Sequence, residues 1–166
     1  LSYDSVKFAL TDFQNRVSGF MPQLKHGVIE SISFTGGKLD GETIYVSPAL
    51  NTLIGIRGSG KSSILEVLRY AFNIQPESDK EYKEGLVKSV LGSGGQITVR
   101  VCDKFGKKYE IRRIYGERPN VLDENGNDLG ISIDQILKNI LYFGQKDLSQ
   151  SSSYELQLLD HLVGNK

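Results

Sequence analysis

The hydrophobic pattern changes its period several times along the chain. Apolar side chains recur at helical spacing over residues 3–16, which predicts an amphipathic helix. From Val28 the period becomes two, which predicts a strand, and the runs 42–46 and 50–56 predict two further strands. The last of these is the most apolar, and it leads through a glycine-rich turn into a helix expected over 61–74.

The second half of the chain also mixes the two periods. The elements expected are strands over 96–103 and 108–115, helices over 132–140 and 154–163, and a short apolar strand over 141–143. The run 75–84 is polar and mixed in charge, so we expect an exposed loop or a frayed helix end there. This mixture of strands and helices predicts an α/β fold.

Only the beginning of the chain looks separable from the rest. Gly19 and Pro22 interrupt the first helical pattern, and a linker runs from there to about Gly27. We therefore predict two units: an N-terminal helix with its linker over residues 1–26, and a single lobe over residues 27–166. A chain of 166 residues is long enough for one domain with a true core.

Composition excludes several classes of protein. Hydrophobic residues make up 39% and charged residues 24%, which excludes a disordered or collagen-like chain. Twenty basic and twenty acidic side chains balance, so no overall basic excess indicates nucleic acid or an anionic membrane. One cysteine, Cys102, cannot form an intrachain disulfide, and no apolar run could span a membrane. We expect a cytoplasmic protein; the start shows no signal peptide and no initiator Met, as in an excerpt or a processed product.

The clearest motif lies where the apolar strand meets the helix. Residues 55–62 match G-x-x-x-x-G-K-[ST] at every fixed position, within the strand–loop–helix context that a phosphate-binding loop requires. Glycines let successive N–H groups point into one concavity, and the helix dipole adds positive potential there. The residues assigned to binding ATP and Mg²⁺ are Gly55, Arg57, Gly58, Ser59, Gly60, Lys61, Ser62 and Ser63. Lys61 is expected to act in catalysis on the β- and γ-phosphates, and the Ser62 hydroxyl to bind Mg²⁺.

Two other motif matches are better explained as turns. Residues 93–96 read S-G-G-Q, as in the signature motif of ABC ATPases, but a period-two run follows them where that motif needs a helix. Residues 121–124 imitate the carboxylate-ended strand of a Walker B motif, but only two apolar residues precede Asp123 and the turn pair Asn125-Gly126 follows. A calcium loop starting at Asp123 lacks the glycine that its sharp turn needs.

Residues 50–66 resemble the N-terminal lobe of SMC-like and RecF-like ABC-type ATPase heads. The order of elements is also similar over about 28–163: a strand ending in Phe34, the phosphate loop, antiparallel strands and a Q-loop. The resemblance implies a P-loop NTPase fold with an antiparallel β subdomain. It also implies that Gln145 is the Q-loop glutamine, catalytic through its contacts with Mg²⁺ and the attacking water. Arg57 stands where the family often has Asn, and its role stays open.

The resemblance further implies half of an ATPase head. The Walker B carboxylates, the signature helix and the switch histidine would come from a C-terminal lobe and from a nucleotide-dependent homodimer. Hydrolysis by this chain alone should then be weak, and DNA is a partner by family analogy only. A stand-alone small-molecule kinase and a non-hydrolysing, ATP-gated assembly module remain as alternatives.

A second resemblance concerns what precedes the lobe. Residues 5–10, 15–17 and 56–58 look like the stretch that follows a PHP-type phosphoesterase domain in certain PHP–ATPase fusion proteins. It implies that the first helix belongs to a linker and that a metal-dependent phosphoesterase domain would precede it.

Overall fold

The computed structural model describes residues 2–12, 26–76, 78–138 and 140–144. Five strands and four α-helices are assigned within these ranges, together with a 3₁₀ turn at Gly37–Leu39. In chain order they are α1 (Tyr3–Leu10), β1 (Val28–Thr35), β2 (Thr43–Tyr45), α2 (Lys61–Ala71), α3 (Lys80–Leu91), β3 (Gln96–Cys102), β4 (Lys108–Ile114), β5 (Asn120–Leu122) and α4 (Ile133–Ile136). The helix expected over 154–163 lies outside the described residues.

The strands form one antiparallel sheet in the order β2-β1-β3-β4-β5. The central β3 pairs with β1 from Gln96 to Cys102 and with β4 over the same length, so both neighbours are held along its whole ladder. Alternate side chains of β3 fall on one face, as its period-two pattern predicts. Ile97, Val99 and Val101 on that face are fully buried. The described part of the chain is therefore an α/β fold built on an antiparallel five-stranded sheet.

Two helices supply the rest of the core. Val67 and Ala71 of α2 are fully buried, and Val87 and Leu91 of α3 join them in one cluster with the sheet residues. At ~25 cal/mol per Å², each buried Val or Leu side chain contributes on the order of 1.5–3 kcal/mol. Packing against the sheet thus fixes where α2 begins, and with it the position of the turn that precedes Lys61.

The helix α3 begins at Lys80 and contradicts the expectation of a loop or frayed end over the second half of 75–84. Its first turns are polar and contain Gly85, which hides the helical signal. Its apolar residues are confined to the second half, where Val87, Val90 and Leu91 face the core. Tertiary packing of that half stabilises the helix, whose local propensity is lowered by Gly85.

The expected strand at 50–56 is wrong, since residues 46–60 form no strand in the structure. Leu50, Ile54 and Ile56 are 90%, 92% and 83% exposed. A strand needs a neighbouring ladder for its backbone groups, and the five-stranded sheet does not extend to this segment. The apolar character of residues 50–56 therefore predicts that they are buried, but no described part of the chain covers them.

Three shorter expectations are also corrected. Residues 141–143 form no strand, and the helix expected over 132–140 is limited to Ile133–Ile136. The first helix ends at Leu10, and it contributes no residue to the core. Among the described residues, no helix is both long and apolar enough to cross a membrane.

Candidate functional site

The turn before α2 has the backbone form that its glycines allow. Gly58 and Gly60 have φ values of +83° and +86°, a region that L-residues with side chains rarely adopt. A Cβ at either position would meet no atom of the described residues within 4 Å, so conformation and not crowding makes glycine the suitable residue here. Gly60 is the N-cap of α2 and makes no side-chain cap, so the helix opens towards the turn without a capping side chain.

The ammonium group of Lys61 is folded over this turn. Its Nζ donates to the carbonyl oxygens of Gly55 at 2.6 Å and Ile56 at 2.8 Å, and to Ser59 Oγ at 3.2 Å. A Cβ on Gly55 would lie 2.6 Å from Ser59 Oγ, so Gly55 leaves room for this arrangement. One lysine therefore ties together both ends of the glycine-rich segment and places a positive charge at its centre.

A cavity of about 930 Å³ opens in front of the turn. Most of the residues assigned from the sequence line it together: Arg57, Gly58, Ser59, Gly60, Lys61, Ser62 and Ser63. Gly55 is not on the cavity wall and acts through its carbonyl contact with Lys61. Gln145 lies outside the described residues, although Tyr142 and Gly144, just before it in the chain, line the cavity.

The cavity has a second set of walls that sequence reasoning missed. The cavity is also lined by the N-cap of α3 and by three residues of its first two turns: Asp79, Tyr82, Lys83 and Leu86. The only warning in the sequence is the mixed-charge composition of residues 75–84, which by itself indicates a solvent-exposed segment. The site is therefore built from three segments: the glycine-rich turn with α2, the N-terminal part of α3, and the segment with Tyr142 and Gly144.

Glu66 links two of these segments. It is 4% exposed, its Oε2 accepts from Arg69 Nε at 2.6 Å, and its Oε1 accepts from the Tyr142 hydroxyl at 2.6 Å. Arg69 also donates to the carbonyl oxygen of Ile74, just beyond the end of α2. A buried carboxylate is stable only when it is paired and hydrogen-bonded, and both conditions are met. Tyr142 is thereby held against the helix that begins at Lys61.

The Tyr142 contact can be tested by deleting one oxygen. Tyr142→Phe removes the donor to Glu66 Oε1 and leaves a buried carboxylate oxygen short of a partner, so the free energy of unfolding should fall by about 1–3 kcal/mol. Urea unfolding measures this change, with Tyr45→Phe as the control because Tyr45 is 82% exposed. Equal midpoints for the two variants would contradict a role for this hydrogen bond.

The two rejected motif matches are turns in the structure, as the sequence predicts. Residues 92–95 connect α3 to β3, and that strand begins at Gln96. Asp123 Oδ1 accepts from the backbone N–H groups of Asn125 and Asn127, both at 2.9 Å, and Oδ2 accepts from Asn127 Nδ2 at 3.0 Å. The side-chain hydrogen bond from Asn127, with the backbone bonds, holds the pKa of Asp123 below its ordinary value. The carboxylate of Asp123 therefore stabilises the turn that contains it.

Comparison with known proteins gives a partial match. No family model matches the chain. The DNA double-strand break repair Rad50 ATPase of Thermococcus kodakarensis is 38% identical over 73 residues, which are 44% of this chain. The match spans only 8% of the length of that relative. The similarity indicates a relationship with SMC/Rad50-like ATPases over part of the chain.

Proposed function

We propose that this chain binds ATP with Mg²⁺ through residues 55–62. The observation that carries this proposal is the convergence of a positive-φ glycine turn, Lys61 and the start of α2 on one cavity. Backbone N–H groups and a helix N-terminus attract phosphate oxygens, and lysine adds a full positive charge. The fold we propose is that of a P-loop NTPase.

Each residue of the loop has a chemical role in this proposal. Lys61 leaves the carbonyl oxygens that it now contacts and binds the β- and γ-phosphates. Ser62 is exposed in the first turn of α2 on the cavity wall, and its hydroxyl oxygen suits Mg²⁺, which keeps waters and takes few protein ligands. Bound Mg²⁺ would neutralise charge on the phosphates. Gln145 would orient the attacking water and contact Mg²⁺.

We further propose that the chain is the N-terminal half of an SMC-like ABC-type ATPase head. The exposed apolar segment 50–56 supports this, because it leads directly into the phosphate loop and yet has no strand beside it among the residues that the structure describes. A C-terminal lobe that supplied neighbouring strands would bury Leu50, Ile54 and Ile56 and satisfy their backbone groups. The similarity to a double-strand break repair ATPase supports a role in DNA repair, maintenance or defence.

Hydrolysis in this proposal needs a nucleotide-dependent dimer. Phosphoryl transfer depends on groups positioned around the γ-phosphate, and a half head supplies only some of them. The kinase alternative requires mobile arginines over the phosphates. Arg112 and Arg113 instead lie on β4, where Arg112 pairs with Glu110 at 2.6 Å and Arg113 lies 3.7 Å from the centre of the Tyr70 ring.

We expect the purified 166-residue chain to bind Mg-ATP and to release phosphate at a negligible rate. Calorimetry measures the binding, and a coupled phosphate assay measures the turnover. Adding a C-terminal lobe should raise turnover by orders of magnitude, since it completes the set of positioned charges. Rapid phosphate release by the chain alone would contradict the half-head proposal. No release after the lobe is added would favour the non-hydrolysing module, and a phosphorylated small molecule would identify a kinase.

A further inference from the structure

Part of the cavity wall is apolar. Leu65 on α2, together with Tyr82 and Leu86 on α3, lines the same cavity as residues 57–63. Leu65 is 44% exposed, Tyr82 is 63% exposed, and Leu86 is half-buried. One exposed apolar side chain is common on a protein surface, but three of them share this cavity with a glycine-rich, lysine-bearing turn. The lining therefore suits a ligand that has both an anionic part and an apolar part.

Helix geometry places the apolar wall about one turn away from the phosphate loop. Leu65 follows Lys61 by four residues on α2, so both side chains lie on one face of that helix, about 6 Å apart along its axis. Tyr82 and Leu86 are also four residues apart and share one face of α3. Buried residues of both helices belong to one core cluster. The core therefore fixes the apolar wall relative to the loop before any ligand binds.

The size of the cavity suits a whole nucleotide better than a phosphate group alone. Cavities that hold small molecules and cofactors usually measure about 300–1,000 Å³, and this one measures about 930 Å³. A nucleoside triphosphate has an anionic chain at one end and a flat aromatic base at the other. Exposed aromatic side chains bind bases by stacking, because every base has a π face. Tyr82 is an exposed aromatic residue in the wall of this cavity.

We propose that Tyr82 is the stacking platform for the base of the bound nucleotide, and that Leu65 and Leu86 complete an apolar base site. This inference rests on the proposed function and deepens it. The phosphate loop holds the phosphate chain, and the base lies against the phenol ring on α3. A purine covers more of the apolar wall than a pyrimidine does, so the cavity prefers purine nucleoside triphosphates. The ring of Tyr82 carries this role, and its hydroxyl group does not.

Equilibrium binding of three ligands tests the proposal. Mg-ATP, Mg-UTP and inorganic tripolyphosphate with Mg²⁺ are titrated into the wild-type chain, Tyr82→Ala and Tyr82→Phe. Tyr45→Ala is the control, because Tyr45 is 82% exposed on β2 and does not line the cavity. Removing the ring of Tyr82 should weaken Mg-ATP about tenfold, weaken Mg-UTP by less, and leave tripolyphosphate within about twofold. Tyr82→Phe and the control should bind all three ligands like the wild type.

A fluorescent variant provides a second readout. The chain has no tryptophan, so Tyr82→Trp introduces a single indole at the proposed base site. A base stacked on that indole should quench its emission, whereas tripolyphosphate should leave the emission unchanged. Tyr45→Trp is the matched control, and its emission should respond to neither ligand.

The outcomes separate this inference from the proposed function. A wild-type chain that binds neither Mg-ATP nor tripolyphosphate contradicts both. If Lys61→Ala abolishes binding of Mg-ATP but Tyr82→Ala leaves it unchanged, or weakens ATP and tripolyphosphate equally, only the base site is wrong. Equal losses for Mg-ATP and Mg-UTP overturn the purine preference. If Tyr82→Ala does not fold, the tryptophan variant decides, and emission that Mg-ATP leaves unchanged at saturation overturns the proposal.

Discussion

Replacing Lys61 with alanine is expected to reduce the affinity for Mg-ATP by at least about 100-fold, the largest functional effect of any single substitution in the chain. The change removes the lysine that is held over the glycine-rich turn. It therefore also removes the charge-assisted contacts that we propose for this lysine with two phosphates. Backbone N–H groups remain, but their partial charges do not replace a full positive charge. Isothermal calorimetry of the purified variant measures the loss.

The control for Lys61→Ala is an exposed lysine elsewhere. Lys104 lies in the turn between β3 and β4, outside the cavity wall, and Lys104→Ala should bind Mg-ATP like the wild type. Urea unfolding of both variants shows whether a loss of binding comes from a loss of folding, because Lys61 also bridges Gly55 and Ser59. Unchanged affinity in a folded Lys61→Ala variant would remove the basis for the phosphate-loop assignment.

Gly95→Ala should have the largest effect on stability. A Cβ at Gly95 would lie 1.8 Å from the carbonyl oxygen of Leu91, and both are held by backbone: Leu91 ends α3, while the Gly95 carbonyl accepts from Tyr115 N–H at 2.8 Å. No rotation of a side chain can relieve that overlap, so α3 must move off the sheet. We expect a loss of about 3 kcal/mol or more in the free energy of unfolding, measured by urea or heat.

The neighbouring glycine provides a matched control. Gly94 has φ +73°, and a Cβ there would meet nothing within 4 Å in the described part of the chain. Gly94→Ala should therefore cost only the strain of a left-handed conformation, about 1–2 kcal/mol. Equal unfolding midpoints for the two variants would contradict the close approach of Gly95 to α3. A larger loss of stability in Gly95→Ala than in Gly94→Ala would show that the S-G-G-Q run forms the tight connection between a helix and a strand.

The sheet could be predicted because its strands carry a local alternating pattern and pair with one another through backbone hydrogen bonds. Alternation at 96–103 and 108–115 is a local pattern, and the β3–β4 pair buries the face that carries Val99 and Ile111. The glycine-rich turn before α2 was predictable for a similar reason, since its glycines, lysine and serine lie within eight consecutive residues. Seven of the eight residues assigned to nucleotide binding line one cavity, and the structure brings them together without long-range information in the motif.

What the sequence did not predict depends on distant contacts. The prediction of a strand at 50–56 is wrong because an apolar run indicates burial but does not show whether a partner strand is present. The helix α3 was missed because its polar first half lines a cavity, and its sequence resembles a solvent-exposed run. The link between Glu66 and Tyr142 joins residues 76 positions apart, which no spacing rule relates.

The most direct test of the central claim is the crystal structure of the chain with a non-hydrolysable ATP analogue and Mg²⁺. The β-phosphate should lie within about 2.7–3.2 Å of backbone nitrogens in the segment 58–62, with Lys61 Nζ moved from the Gly55 and Ile56 carbonyl oxygens to phosphate oxygens. Analogue bound at another surface, or an unliganded loop with Lys61 still on its two carbonyl oxygens at saturating ligand, would contradict it.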